Sequence, residues 1–319
     1  MIKSDVMKEI YQEYLPEIKK ILRAVISVNT HVPEEAMTAD LLGTDRKGHG
    51  VVIRDDGLIV TIGYLIHEAE HIWIGVDEDT MVPGYAIGYD YDSGLGLVKA
   101  TLPLNCPSIP IGKSADINTG DPVFIAGSKG IRETIESRVI AKQEFAGRWE
   151  YVLDEAIYTA PAHPNWAGAA LLDQNGKLCG IGSLLIQDIN SDNEDDLANV
   201  FVPIDLLTPV IDDLCQYGRR QTPPRPWLGL FVHDDNHQLL ISGVYRGCPG
   251  DRAGLIPGDI IVSVNGIAPS GLANFFRQVW SLGSAGVGVP LTIMRDGKLH
   301  NVVVHSSERN AYLKKETIN

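Results

Sequence analysis

The chain has 319 residues, of which 44% are hydrophobic and 21% are charged, and its formal net charge is -14. A chain of this length is too long to fold around one ordinary hydrophobic core, so two or three domains are predicted. The negative charge repels phosphate backbones, which argues against a nucleic-acid partner.

The first 25 residues are predicted to form a helical arm. Apolar residues recur near helical spacing between Val6 and Val25, where the pattern changes to that of a strand. Packing of this helix against its own domain is favoured over a role as a trimerisation or docking arm. The segment has no apolar signal core, and no run reaches the roughly 18 apolar residues of a membrane-spanning helix. The chain as written is therefore expected to be cytoplasmic, or periplasmic if a leader was removed.

Residues 48–202 read as short strands separated by turns. Asp56-Gly57 predicts the turn of a β-hairpin over residues 50–61. Runs rich in Val, Ile and Leu predict further strands, at residues 72–76, 95–100, 122–126, 156–159 and 178–185. Many short strands with glycine-rich turns indicate barrels or sandwiches.

The second half of the chain begins with a predicted helix over residues 204–217. Gly218 follows it and suits a helix C-cap. Three prolines in residues 219–226 predict a stiff, extended linker, so we place a domain boundary there. Beyond it lies a smaller module with an Asn265-Gly266 turn, a helix over residues 273–280 and a hairpin that starts near residue 291.

The cysteines and histidines offer little metal or redox chemistry. The four cysteines lie far apart without a CxxC pair, which argues against a metal knuckle or a thioredoxin-type site; they are Cys106, Cys179, Cys215 and Cys248. Cys179 in an apolar strand and Cys215 on a helix favour reduced, packed thiols, although two disulfides remain open.

One segment, His67-Glu68-Ala69-Glu70-His71, matches the zinc-protease pattern His-Glu-x-x-His. On a helix, both histidines would share one face and could bind zinc. Here the pattern runs directly into a predicted strand, so an exposed polar turn is favoured. His67 and His71 are weak candidates only, and no metal or cofactor is expected. His163 is interpreted as a surface-loop histidine.

Residues 253–266 read Ala-Gly-Leu-x-x-Gly-Asp-x-Ile-x-x-Val-Asn-Gly, which resembles a PDZ domain of the kind fused to HtrA/Deg serine proteases. The resemblance implies a groove that takes an extended peptide C-terminus as an added strand. Its carboxylate would meet converging backbone N–H groups. The implied peptide-binding residues are Trp227, Leu228, Gly229 and Leu230 in the carboxylate-binding loop, and Phe275, Phe276 and Val279 on the helix.

The first module resembles the protease domain of the same family. The matching segments are Gly48-His49-Gly50-Val51-Val52-Ile53, Phe201-Val202-Pro203-Ile204 and the nucleophile loop at residues 163–172. The resemblance implies a mainly β fold, a chymotrypsin/trypsin-like double β-barrel followed by a PDZ domain. The expected boundaries are 1–25 for the arm, 26–218 for the trypsin-like domain, 219–226 for the linker, 227–310 for the PDZ domain and 311–319 for the tail.

The family's three catalytic positions fall on Tyr64, Gly94 and Ala167. A phenol with a pKa near 10 is a poor base at neutral pH. Glycine offers no carboxylate, and the methyl group of alanine has no lone pair with which to attack a carbonyl. Asn165 stands at the glycine of the oxyanion loop, where asparagine can still adopt positive φ.

The resemblance and these substitutions predict a pseudoprotease, a protein of the quality-control type that binds polypeptide C-termini or misfolded segments without cleaving them. It is not expected to be an enzyme. One alternative is a regulatory or structural subunit of a protease assembly, as a homo-trimer or with a protease paralogue. A serine-type or metal-dependent endopeptidase with unrecognised active groups is the least favoured alternative.

Overall fold

The computed structural model describes residues 18–77, 79–191, 193, 196–235 and 238–314. Within them the chain divides into two compact units. The first contains residues 18–143 and 155–220, and the second contains residues 144–154 and 221–314. The segment 144–154, which the sequence places inside the barrel domain, therefore groups with the PDZ module.

Six antiparallel strands close the first barrel in the order β1-β2-β3-β6-β5-β4. They are β1 (Val25–His31), β2 (Asp45–Arg54), β3 (Leu58–Ile62), β4 (His71–Gly75), β5 (Met81–Tyr89) and β6 (Leu95–Ala100). All five residues of β3 are buried, as its apolar run predicts. The turn before β3 holds Gly57 at a φ of +81°, which confirms the predicted hairpin.

Helical structure is short in this part of the chain. Residues 18–22 are helical, and the rest of the predicted arm, residues 1–17, lies outside the described residues. Helix α1 (Ala39–Leu42) and a 3₁₀ turn at Gly63–Leu65 lie between strands. β5 escaped sequence detection because Pro83, Gly84 and Gly88 interrupt its apolar pattern.

Six further antiparallel strands close the second barrel in the order β10-β11-β12-β9-β8-β7. They are β7 (Pro122–Ala126), β8 (Thr134–Gly147), β9 (Tyr151–Ala160), β10 (Ala170–Leu172), β11 (Leu178–Gln187) and β12 (Leu197–Pro203). Fully buried residues from several strands fill the core, among them Val123, Val139, Ile157 and Phe201. Two closed barrels confirm the double-barrel expectation.

The helix predicted over residues 204–217 is divided in the structure. A 3₁₀ turn covers Ile204–Leu206, and helix α2 covers Ile211–Tyr217. Pro209 explains the division because a proline disfavours helical backbone in the residue before it. Gly218 caps α2 in the left-handed conformation, with φ 72°, as predicted.

The second unit carries a five-stranded sheet in the order β13-β14-β15-β16-β17. The strands are β13 (Leu230–Asp235), β14 (Gln238–Val244), β15 (Ile260–Val264), β16 (Gly288–Arg295) and β17 (Lys298–His305). Helix α3 (Pro249–Arg252) and helix α4 (Leu272–Ser281) complete the unit. Asn265 and Gly266 both have positive φ, as a tight turn of this sequence requires.

All four cysteines are free thiols. Cys179 and Cys248 are buried, which fits the prediction of packed thiols for Cys179. The same prediction is wrong for Cys215, which is exposed. Cys215 lies on α2, where Leu214 is the buried residue, so it belongs to the outer part of that helix.

Gly168, in the loop at residues 163–172, packs closely against the backbone of the first barrel. Its φ is +75°, and an added Cβ would lie 1.9 Å from the carbonyl oxygen of His49. Gly57 has a similar φ of +81°, but a Cβ there meets only the Ala100 methyl at 3.6 Å. We expect Gly57→Ala to lower the free energy of unfolding by about 1–2 kcal/mol, the cost of left-handed backbone.

Gly168→Ala should cost more than Gly57→Ala because it adds a clash with backbone to the same conformational cost. Urea unfolding monitored by circular dichroism measures both variants. Equal losses for the two would contradict the close approach of Gly168 to His49.

Candidate functional site

Tyr64 lies in the 3₁₀ turn after β3, and its side chain is anchored on the second barrel. Its hydroxyl donates to the carbonyl oxygen of Ser183 at 2.8 Å. Ser183 sits at an irregularity in the β11–β12 pairing, which leaves that carbonyl open to a side chain. Burial raises the pKa of the phenol well above its usual value, and a hydrogen bond from the Trp166 indole N–H only partly opposes this. The phenol therefore holds its proton at neutral pH and acts as a donor.

Gly94 closes a tight turn that supports Tyr64. Its φ is +79°, and its N–H donates to the carbonyl oxygen of Asp90 at 2.7 Å. Its own carbonyl accepts from the N–H of Gly63 at 2.8 Å, directly before Tyr64 in the chain. Position 94 thus contributes backbone bonds to the Tyr64 turn, and no carboxylate.

The carboxylates near Gly94 pair with an arginine from the predicted linker. Buried Asp90 makes a two-pronged contact with Arg220, at 3.0 Å to Nε and 2.9 Å to Nη2. The hydroxyl of Ser93 donates to the same carboxylate at 2.6 Å. A carboxylate oxygen of Asp92, two residues before Gly94, lies 3.8 Å from Nε of Arg220. Asp90 and Asp92 therefore both form ion pairs with the guanidinium of Arg220.

Ala167 is close to the Tyr64 turn. Its carbonyl oxygen accepts from the N–H of His49 at 2.8 Å. A Cβ built on Gly48 would lie 3.2 Å from the Ala167 methyl and 2.5 Å from Leu65 Cδ1, so Gly48 lies between them. The structure thus places the backbone segments around Tyr64, Gly94 and Ala167 close together.

The oxyanion-loop position is also altered. The N–H of Asn165 donates to Nδ1 of His163 at 3.1 Å, so this amide is bonded within its own loop. Asn165 does not adopt the positive φ that its residue type allows. Its side-chain amide instead donates to Oε1 of Glu133 at 2.8 Å. Side chains of His163, Asn165 and Glu133 therefore hold this loop in a hydrogen-bond network.

The interpretation of His163 as a surface-loop residue is wrong. His163 is 1% exposed. Its N–H donates to Oδ1 of Asn199 at 2.6 Å, and its carbonyl accepts from Nδ2 of the same residue at 3.2 Å. Its Nε2 lies 3.1 Å from the carbonyl oxygen of Glu133. Asn199 lies on β12 and is fully buried, and a single polar residue in an apolar strand gave no sequence signal of this role.

Glu133 and His49 complete the network beside Ala167. Although burial opposes ionisation, hydrogen bonds from the Lys129 N–H and from Asn165 hold the pKa of Glu133 below its usual value. Burial lowers the pKa of His49, and the charge of Glu133 partly opposes this. Nδ1 of His49 accepts from the N–H of Ser128 at 3.1 Å. The imidazole is thus neutral and engaged with backbone, and sequence reasoning assigned no role to this pair.

The His-Glu-x-x-His segment does not form a helix with both histidines on one face. His67 and Glu68 are buried, so the prediction of an exposed turn is wrong for them, whereas His71 is exposed at the start of β4. The carboxylate of Glu68 accepts from the N–H and hydroxyl of Thr38, at 2.8 Å and 2.7 Å. The His67 ring packs edge-on against the Tyr89 ring, with 3.8 Å between the two ring centroids. Among the described residues, no group of three His, Cys, Asp or Glu side chains is placed to hold a metal ion.

In the second unit, the predicted carboxylate-binding loop already holds a carboxylate. Oε1 of Glu150 accepts from the N–H groups of Leu228, Gly229 and Leu230 at 3.1, 2.7 and 3.1 Å. Oε2 accepts from Leu228 at 3.0 Å. Gly229 has a φ of +76°, and a Cβ there would lie 2.7 Å from Cys248 Cβ, so glycine is needed. The three amides converge as predicted, on an internal acceptor that the sequence did not reveal.

The other predicted peptide-binding residues are buried. Trp227 is 5% exposed, and its N–H donates to the carbonyl of Ser307 at 3.0 Å. Phe275, Phe276 and Val279 belong to the hydrophobic core of the unit. Val152, from the segment 144–154, belongs to the same buried cluster.

The chain matches two family profiles. One, described as a trypsin-like peptidase domain, matches residues 48–181, and the other, a PDZ domain, matches residues 240–277. These two domains and the relatives described below support an HtrA/Deg family member. Its fold, a trypsin-like double barrel with a PDZ domain, is the one expected of that family.

Curated relatives extend over most of the chain. "Protease Do-like 1, chloroplastic" of Arabidopsis thaliana is 28% identical over 84% of this chain and 64% of its own length. "Probable periplasmic serine endoprotease DegP-like" of Hahella chejuensis is 27% identical over 81% of this chain and 56% of its own length. The chain thus spans less than two thirds of these HtrA/Deg relatives.

Solved structures share the fold. The "HtrA-type protease AlgW with tripeptide" has a TM-score of 0.53 at 22% identity and covers 92% of this chain and 96% of its own. A serine endoprotease from Yersinia pestis has a TM-score of 0.53 at 23% identity, with 92% and 97% covered. In the described part of this HtrA/Deg chain, no helix is long and apolar enough to cross a membrane.

A first prediction concerns the Tyr64 anchor. Tyr64→Phe should lower the free energy of unfolding by about 1–3 kcal/mol, because the carbonyl of buried Ser183 loses its donor. Tyr217→Phe, at an exposed residue, should leave it unchanged. Thermal or urea unfolding checks both, and equal stability of the Tyr64 and Tyr217 variants would argue against the anchor.

A second prediction concerns the pH dependence of Glu150. Burial raises its pKa to about 7, against hydrogen bonds from Leu230, Leu228 and Gly229 and the charge of Arg309. Burial raises the pKa of the nearby Cys248 thiol to about 11, and the negative charge of Glu150 raises it further. The unfolded carboxyl titrates near 4.5, so its proton leaves the unfolded chain first as the pH rises.

The contribution of Glu150 to stability should therefore be fully present below about pH 4.5 and decline until about pH 7. Glu150→Gln removes the ionisation, so this part of the pH dependence should vanish in that variant. Urea unfolding across this range, with a ¹³C NMR titration of the Glu150 carboxyl, measures it. An unchanged pH profile in Glu150→Gln is the contrary result.

Proposed function

We propose that this HtrA/Deg protein binds polypeptide C-termini through its PDZ domain and does not cleave them. The observation that carries the proposal is the set of groups at the three catalytic positions. Ala167 supplies a methyl group where acyl transfer needs a nucleophile, and a methyl group cannot form an acyl-enzyme.

The remaining two positions supply no proton shuttle. The phenol of Tyr64 keeps its proton and donates a hydrogen bond to a backbone carbonyl, so it cannot act as a general base at neutral pH. Gly94 has no side chain to orient a base. These contacts support a cleft that has been converted to structural use.

The curated relatives are named as proteases and serine endoproteases, so an active alternative must be weighed. The titratable groups near Ala167 do not form a nucleophile–base pair. His49 and His163 bond to backbone groups and to their own loop. Asp90 pairs with Arg220. Retained hydrolysis would require this network to rearrange.

The binding half of the proposal rests on the amides at residues 228–230. They converge on one carboxylate, which supports their capacity to bind the carboxylate of a peptide. β13 lies at the edge of its sheet, so an extended peptide could add beside it.

The names of the relatives favour a periplasmic location over the cytoplasmic one expected from the sequence. Relatives in Hahella chejuensis and Chlamydia pneumoniae are named as periplasmic, and these names give no support to a cytoplasmic location. We therefore propose that the protein works in the periplasm or an equivalent compartment.

The proposal predicts the outcome of active-site labelling. The full-length protein should neither digest casein nor react with a fluorophosphonate serine probe. Ala167→Ser alone should remain unlabelled, because Tyr64 cannot take the proton of the new hydroxyl. Adding Tyr64→His should permit slow labelling, since a Ser–His pair without its acid keeps only part of the rate.

Trypsin serves as the positive control for both assays. Stoichiometric labelling of the natural chain, or casein digestion that persists through purification, would remove the basis of the proposal. Rapid labelling of the Ala167→Ser variant alone would show that another group acts as the base.

A further inference from the structure

We propose that residues 144–154 are a built-in ligand of the PDZ groove, with the Glu150 side chain bound where the carboxylate of an external peptide would bind. A peptide then gains the groove only by displacing this segment, which we call the internal ligand. The inference rests on the proposed peptide-binding function and names its regulation.

The first argument is the carboxylate itself. Three consecutive backbone N–H groups in a glycine loop are an anion site. Glu150 satisfies all three within 3.1 Å, and its side chain is buried although it is acidic. A buried acid with this set of donors is a ligand held in a site, because an unpaired carboxylate would be costly to bury.

The second argument is the backbone contact two residues away. The carbonyl oxygen of Arg148 accepts from the N–H of Val232 at 2.9 Å. β13 is the edge strand, so this N–H is the kind of group that an added strand would bond. Arg148 precedes Glu150 by the same interval that separates Leu230 from Val232. The internal ligand thus combines both contacts of β-strand addition, carboxylate and main chain.

The third argument is that side chains fix the segment on either side of Glu150. Val152 is part of the apolar cluster that contains Phe276 and Val279 of α4. Arg277, also on α4, forms ion pairs with Glu144 and with Asp154. The groove is therefore occupied by apolar, ionic and main-chain contacts together.

The fourth argument is the residue type at position 150. Glu150 has a φ of +62°, a conformation that favours glycine or asparagine in a turn. Glutamate at this position is unfavourable for the backbone, and the observed benefit is the bond between its carboxylate and the loop. The turn is thus built to present a carboxylate.

These contacts imply that the apparent affinity for an external peptide is reduced by the fraction of molecules in which the groove is free. Glu150→Gly should raise that fraction, because it removes the carboxylate and suits the positive φ. Glu136→Ala is the matched control, since Glu136 is an exposed carboxylate on the same hairpin, in β8. Glu150→Gln keeps one acceptor oxygen and should give an intermediate effect.

The test uses the full chain and a library of short peptides that end in Val, Leu or Phe with a free carboxylate, with the same peptides amidated as a reference. Fluorescence anisotropy measures binding at fixed pH. We expect Glu150→Gly to bind the free-carboxylate peptides at least about tenfold more tightly than the natural chain and Glu136→Ala. Hydrogen exchange at the amides of Leu228, Gly229 and Leu230 should accelerate in Glu150→Gly without peptide.

The failures are distinguishable. If all proteins bind the peptides with one affinity, the groove is already accessible and the internal ligand is refuted, while peptide binding stands. If no protein binds any peptide although the three amides exchange faster in Glu150→Gly, the proposed function fails and the inference fails with it. Unchanged exchange of these amides refutes the internal ligand directly.

Discussion

Three amides and one carboxylate determine how the second unit is built. The N–H groups of Leu228, Gly229 and Leu230 point to one place, which forces Gly229 into positive φ and brings it against Cys248. Donors arranged in this way must have an acceptor, since each buried donor left unpaired costs about 1–3 kcal/mol. Glu150 supplies that acceptor, and the hairpin turn takes a strained φ to do so. Opening the groove without a replacement carboxylate is therefore unfavourable, and exchange of one carboxylate for another is the accessible route.

The need of buried polar groups for hydrogen-bond partners also explains several contacts in the first unit. The region around Tyr64, Gly94 and Ala167 contains buried polar groups that need partners. Tyr64 satisfies the carbonyl of Ser183, and Asn199 satisfies both backbone groups of His163. Asp90 is paired with Arg220. Each of these contacts satisfies a buried polar group, and together they stabilise the region around Tyr64 and Ala167.

The fold could be predicted from the sequence largely because its signals are local. Asp56-Gly57, Asn265-Gly266 and Gly218 specify turns and a cap through their own backbone preferences. The site could be predicted only where a motif carried it, as at residues 228–230. Glu150 and Asn199 carry no such motif. The partner of Glu150 is 78 residues away in the chain, and the partner of Asn199 is 36 residues away. His67 and His163 were misplaced for the same reason, since burial of a polar residue in a loop depends on tertiary contacts.

The proposed function, binding without cleavage, requires that a bound peptide be released intact. A protease releases its products because a covalent bond is broken, whereas a binding protein must release an intact chain. An internal ligand that returns to the groove supplies a competitor at high effective concentration, because it is part of the same molecule. In the proposed mechanism, Glu150 rebinds the amides after a peptide dissociates and so opposes its rebinding.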